Sequence, residues 1–223
     1  MGSFNKRSMK GDKNKLISIN IDKIKEQKDI KLLLQLLRLQ DEETYNHCVR
    51  VANIVYDIII HMEDSSPWNE KEVKSILQGA LIFDIGKAFL PFNLTSLSRE
   101  LSDFEIEIMK THPTLGYEII HDVFDEIVEK IVLMHHEYEN GKGYPFGLTQ
   151  IPDYVKLIQY ADTFDSLTSY HPYRNSYTYK EALAIIQDMV SESNLDYIYL
   201  EDMKRFVERN EVIIPKSREN IVK

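Results

Sequence analysis

Aliphatic side chains that return every third or fourth residue leave this chain little choice but helix. Val51, Ile54, Val55 and Ile58 form one such stripe, at the spacing where side chains share a face and bury together. Asp41 stands ahead of it as an N-cap, with Glu42 and Glu43 in the first turn answering the helix dipole. Before it, "IKLLLQLLRL" reads as an amphipathic helix that breaks around Gln40 and Asp41. After it, Ser66 as cap and Pro67 at the first helical position restart a helix running toward "LIFDIGK". "SDFE" at Ser102–Glu105 and "TYKE" at Thr178–Glu181 read as capping boxes. Between them, helices are expected near 114–124, 126–138 and 153–170. The one long turn-rich interval is "EYENGKGYPFGLTQIP", Glu137 to Pro152, with three glycines and two prolines. No alternating strand pattern, internal repeat or low-complexity tract is evident. The pattern predicts an all-α bundle with the glycine-rich loop on its surface.

Charge divides the chain. Residues 1–31 hold nine Lys or Arg against four Asp or Glu, a net of +5, which leaves −14 on the rest of a chain whose net is −9. An acidic body argues against general nucleic-acid binding, which needs clustered cations. A phosphorylated ligand would then require metal ions or a few focused basic residues. The expected organisation is a basic flexible leader at 1–15, a helical extension at 16–40, the main domain at 41–210 and a tail at 211–223. No signal peptide is recognisable, and no apolar run approaches the roughly 20 residues of a membrane span. The single cysteine, Cys48, rules out an intramolecular disulfide and fits a cytoplasmic location.

The acids and imidazoles carry the chemistry. Glu43 and His47, four apart, project from one helix face. Asp84, His112, the adjacent His135 and His136, and Asp162 follow. Neighbouring helical residues point about 100° apart, so both adjacent histidines reach one site only at a helix end or irregularity. Imidazole with carboxylate favours Fe, Mn, Zn or Ni over Ca or Mg. So many ligands exceed the needs of one tetrahedral ion and admit a site with two or more metals. Each residue also has an ordinary reading. A lone helical histidine is usually a hydrogen-bonded core or surface residue, which is the reading given to His61 and His121. Asp84 pairs with Lys87 at helical spacing, and Asp165, one turn beyond Asp162, reads as a helix-surface acid.

The ordered set "FDIGK", "THPTLGYEII", "HHEYENGKGYP" and "YADTFDSLTSYHPYR" resembles HD-GYP domains, a branch of the HD phosphohydrolases that acts on cyclic di-GMP. The resemblance spans roughly residues 40–210. It implies a helical HD-like bundle holding two or three divalent metals, commonly iron or manganese. The implied metal ligands are Glu43, His47, Asp84, His112, His135, His136 and Asp162. Asp84 matches the bridging aspartate, His112, His135 and His136 match ligands of the second metal, and Glu43 matches the carboxylate of three-metal members. Lys87 matches a lysine beside the scissile phosphate, and Tyr144 and Arg174 match ligand contacts. Three positions depart from the pattern. Phe83 stands where the HD histidine is usual, Asn140 where the loop usually has aspartate, and His171 where the first arginine of "RPYR" is usual.

Two functions follow. One is a phosphodiesterase in which a metal-bridging hydroxide at Asp84 opens cyclic di-GMP to linear pGpG and then GMP, with Lys87 and the metals stabilising the charge. The alternative is a degenerate domain that binds cyclic di-GMP, or a partner protein through the GYP loop or the basic N-terminus, without turnover. A hydrolase of another phosphoester is a third reading that "GKGYP" disfavours.

Overall fold

The computed structural model describes residues 13–62, 66–91, 94, 99, 101–169 and 175–211. The leader up to residue 12, His171, Arg174 and the tail from residue 212 lie outside the described residues. Among those described there is no strand. The α-helices are α1 (Lys13–Ile17), α2 (Ile21–Lys25), α3 (Lys28–Gln40), α4 (Glu42–His61) and α5 (Glu70–Ile82). They continue with α6 (Asp103–Met109), α7 (His112–Ile120), α8 (Glu126–Met134), α9 (Asp153–Thr168), α10 (Tyr179–Ser191) and α11 (Leu200–Glu211). Short 3-10 turns occupy Ile85–Phe89 and Tyr197–Tyr199.

The caps explain most boundaries. Asp41 accepts from the amides of Glu43 (3.0 Å) and Thr44 (3.3 Å), which starts α4 where the sequence places it. Reciprocal capping boxes form at Ser102/Glu105 and Thr178/Glu181, as expected. The start of α5 differs. Asn69, with Glu72 closing a capping box, caps that helix three residues after Ser66. Ser66 instead accepts from the amide of Trp68 at 3.1 Å, in a turn that buries the Trp68 indole before the helix begins. The segment expected at 126–138 stops as helix at Met134, and His135 is its C-cap.

The second half of α5 is apolar all round. Ala80, Leu81, Ile82 and Phe83 are fully buried, as a central helix requires. It packs against α4 on one side and α8 on the other, while α9 lies against α4. Leu16, Ile30, Leu34 and Leu37 are buried in the same core, so the segment before residue 41 shares the domain's apolar interior. Because α5 ends inside the bundle, the residue that follows Phe83 has its side chain in the interior. That residue is Asp84.

Candidate metal centre

Asp84 lies between α5 and the 3-10 turn at Ile85–Phe89. In 3-10 geometry residues three apart eclipse, and Lys87 Nζ sits 2.7 Å from Asp84 Oδ2. The expected ion pair exists, and it engages only one carboxylate oxygen. Asp84 Oδ1 is buried and accepts no hydrogen bond. It faces His112 Nε2 at 3.2 Å and His135 Nε2 at 3.7 Å.

The two imidazoles are fixed from behind. His112 Nδ1 lies 2.7 Å from the Met109 carbonyl, and His135 Nδ1 lies 2.9 Å from the Val132 carbonyl. A carbonyl only accepts, so both Nδ1 atoms carry the proton and both Nε2 atoms present lone pairs. Those lone pairs converge at 3.0 Å. Burial pushes His135 down to about 4, so it does not relieve the contact by taking a proton. Burial also holds His136 well below the usual histidine range. Two facing lone pairs beside an unpartnered carboxylate oxygen repel unless a cation lies among them. Asp84, His112, His135 and His136 bring one donor atom each within 4.8 Å of the others, and this donor set fits a divalent transition metal.

His135 and His136 reach this point together because α8 ends between them and its own last residue, Met134. Tyr144 stacks on His136, with centroids 4.5 Å apart and planes at 24°. The loop carrying Tyr144 is tied down from within. Glu137 is fully buried, and its carboxylate accepts from the amides of Phe146 (2.6 Å) and Leu148 (2.8 Å). The Glu137 carbonyl accepts from Gln159 Nε2. A Cβ on Gly143 would meet His136 O and Tyr138 N at 2.5 Å, so the close return of the loop needs glycine there. Replacing Glu137 by Gln swaps one acceptor oxygen for a donor aimed at an amide. That should cost about 1–3 kcal/mol, read as faster proteolysis at the loop and a lower melting temperature.

Beyond Asp84 lies a second group. His47 Nε2 is 2.9 Å from Asp162 Oδ1, and His47 Nδ1 is 2.7 Å from Asp165 Oδ2. Arg50, one turn after His47, donates from Nε to Asp165 at 2.8 Å and from Nη2 to Glu43 at 2.8 Å. Asp165 is therefore no surface acid: it is 3% exposed and orients His47. The matching i, i+3 pairs His47/Arg50 and Asp162/Asp165 on facing helices were the available signal for it. His61 and His121 are exposed and remote, as expected. Phe83 sits edge-on between the two groups, its ring centroid 5.5 Å from that of His47 and 5.0 Å from that of His135.

In the metal-free protein burial disfavours a charged His47, but hydrogen bonds to Asp162 and Asp165 outweigh it and push it up to about 9. A folded pKa above the unfolded value of 6.5 gives stabilisation that is complete below 6.5 and lost as pH rises through 9. The melting temperature of metal-free protein should fall across that interval. Asp165→Asn should flatten the fall, as differential scanning calorimetry at several pH values would record.

A cleft of about 430 Å³ opens beside this group, lined by Glu43, His47, Arg50, Lys87, Arg99 and Asp165 among others. No helix among the described residues is long and apolar enough to cross a membrane.

The sequence pattern of the family described as "HD domain" matches residues 31–197. The cyclic di-GMP phosphodiesterase response regulator RpfG of Xanthomonas campestris is 29% identical over 189 residues, 82% of this chain and 49% of that protein. A cyclic di-GMP phosphodiesterase of Thermotoga maritima is 33% identical over 72% of this chain and 44% of that protein. The chain thus spans about half the length of these relatives or less. An HDG"Y"P protein from Bdellovibrio bacteriovorus shares the fold, with a TM-score of 0.61 at 20% identity over 89% of this chain and 69% of that one. The chain belongs to the HD domain family and is related to the HD-GYP cyclic di-GMP phosphodiesterases within it.

Proposed function

We propose that this chain is a metal-dependent phosphodiesterase that opens cyclic di-GMP to linear pGpG and then to GMP. The observation that carries this reading is the convergent donor set of Asp84, His112, His135 and His136, with Asp84 Oδ1 buried and without a hydrogen bond, beside the cationic Lys87. A bound divalent ion, iron or manganese by donor chemistry, supplies Lewis-acid polarisation and water activation near neutral pH.

The chain's own groups do the rest. Burial alone would raise the Asp84 carboxyl, but the Lys87 ammonium holds it well below the usual range, so it stays an anion. Burial opposes the Lys87 charge, and Asp84 outweighs it and raises the ammonium. Lys87 lines the cleft with its side chain 22% exposed, so a phosphoryl oxygen can approach it without breaking the core. A preorganised cation there stabilises charge that develops on the phosphate. Tyr144, flat against His136, forms a wall against which a base or ribose can pack. Glu43 and His47 line the same cleft, Asp162 lies behind His47 at 2.9 Å, and Arg174 is assigned to ligand contact. Phe146, 62% exposed at the tip of the loop, supports that loop as the place where a partner protein would dock. A cytoplasmic location suits a messenger-cleaving enzyme.

The test is direct. Protein loaded with Mn or Fe should convert cyclic di-GMP to pGpG and GMP, with the mixed GMP–AMP cyclic dinucleotide as comparison. Chelator treatment should abolish the activity and re-addition of metal should restore it. Hydrolysis absent from every metal-loaded form overturns the reading. Phe83 favours a second one, because a buried phenyl ring with no donor lies between the two ligand groups. Under that reading calorimetry detects cyclic di-GMP binding while no product forms.

A further inference from the structure

The two ligand groups differ in whether their donors are free to take an ion. In the first, Asp84 Oδ1 has no hydrogen-bond partner and two imidazole lone pairs face each other at 3.0 Å. In the second, His47 and one oxygen each of Asp162, Glu43 and Asp84 are already engaged in hydrogen bonds or ion pairs. Both ring nitrogens of His47 sit on carboxylates, Asp162 at 2.9 Å and Asp165 at 2.7 Å. Glu43 Oε1 is held by Arg50 at 2.8 Å. Asp84 Oδ2, the oxygen turned toward His47, is 3.9 Å from His47 Nε2 and is taken by Lys87 at 2.7 Å. Phe83 contributes carbon where a further ligand would have to enter, fully buried with its ring between those of His47 and His135.

We infer that this chain holds a single metal ion tightly, in the Asp84–His112–His135–His136 cradle, and that Phe83 closes the second position. The inference rests on the proposed metal dependence and not on turnover. Four convergent donors, three of them imidazole, make a high-affinity site for a first-row ion. The His47 side offers at most His47 and Asp162 once Glu43 and Asp84 Oδ2 are excluded. Using those two means separating an existing hydrogen bond and leaving ligand positions to water. The carboxylates on that side have no need of an ion, because Arg50 bridges Asp165 and Glu43. The position is held as an ion-pair network.

The experiment counts metal in the full chain, loaded with Mn²⁺ or anaerobically with Fe²⁺, desalted and measured by mass spectrometry against protein. One ion per chain is expected, with a Mn²⁺ electron paramagnetic resonance spectrum of an isolated ion. His47→Ala should keep that ion and His112→Ala should lose it. Phe83→His, which places an imidazole beside His47, Asp162 and Asp84, should take up a second ion and show an exchange-coupled pair. Two or more ions in the wild-type chain, loss of the ion in His47→Ala, or a folded Phe83→His protein that still holds one would overturn the inference. Should Phe83→His fail to fold by circular dichroism, the wild-type count and His47→Ala decide. Two ions with turnover would overturn this inference alone. One ion without turnover supports it and overturns the hydrolase reading.

Discussion

Asp84→Asn should remove tight metal binding and lower turnover of cyclic di-GMP about 100- to 1,000-fold, the scale on which a single preorganised group acts at a reacting centre. The carboxylate is 1% exposed and serves two masters, Lys87 through one oxygen and the imidazole pair through the other. An amide keeps the shape and loses the charge. Its NH2 group can donate to one of the facing imidazole lone pairs, which relieves the repulsion a metal would otherwise relieve. The fold should survive at a cost of about 1–3 kcal/mol, since Lys87 loses its counter-charge but keeps partial access to water. Metal raises the melting temperature of a protein that binds it only when folded. Wild-type protein should show that rise on Mn²⁺ addition, and Asp84→Asn should show none. A variant that still gains stability from metal would move the site away from Asp84.

Gly86→Ala should be the most damaging small substitution near the site. The 3-10 turn after Asp84 packs directly on α7, and a Cβ at position 86 would lie 2.7 Å from the Gly116 amide and collide with the His112 carbonyl. Both obstacles are backbone, so neither can rotate away. Overpacking of this kind costs about 3 kcal/mol, or a melting temperature lower by roughly 6–12 °C in a domain of this size. The displacement separates Asp84 from His112, so metal affinity should fall together with stability. Thermal melts with and without Mn²⁺ would show both effects. An unchanged melting temperature would mean that α7 and the turn are not locked together.

Helix content and most boundaries could be read from the chain because they depend on local spacing. Asp41, Ser102 and Thr178 cap where they stand, and each needs only its own next few residues. Ser66 misleads for a tertiary reason: burying Trp68 delays the helix to Asn69. Asp165 was missed for a related one. On its own helix it looks like any acid, and only the facing helix, with His47 and Arg50, gives it a buried role. The cluster of Asp84 with three histidines was anticipated through family resemblance. The orientation of its lone pairs depends on carbonyls at Met109 and Val132, which no side-chain pattern encodes.

Glu137 follows the two histidines without a gap, and its carboxylate holds the far side of the loop at Phe146 and Leu148. Three consecutive residues thus join the candidate metal donors to the glycine-rich loop in one piece. A change in how His135 and His136 are held is therefore passed through Glu137 to the backbone at Phe146 and Leu148. Under the proposed function, an ion that stiffens this rim would raise the affinity for the cyclic dinucleotide, and the dinucleotide would raise the affinity for the ion by the same factor.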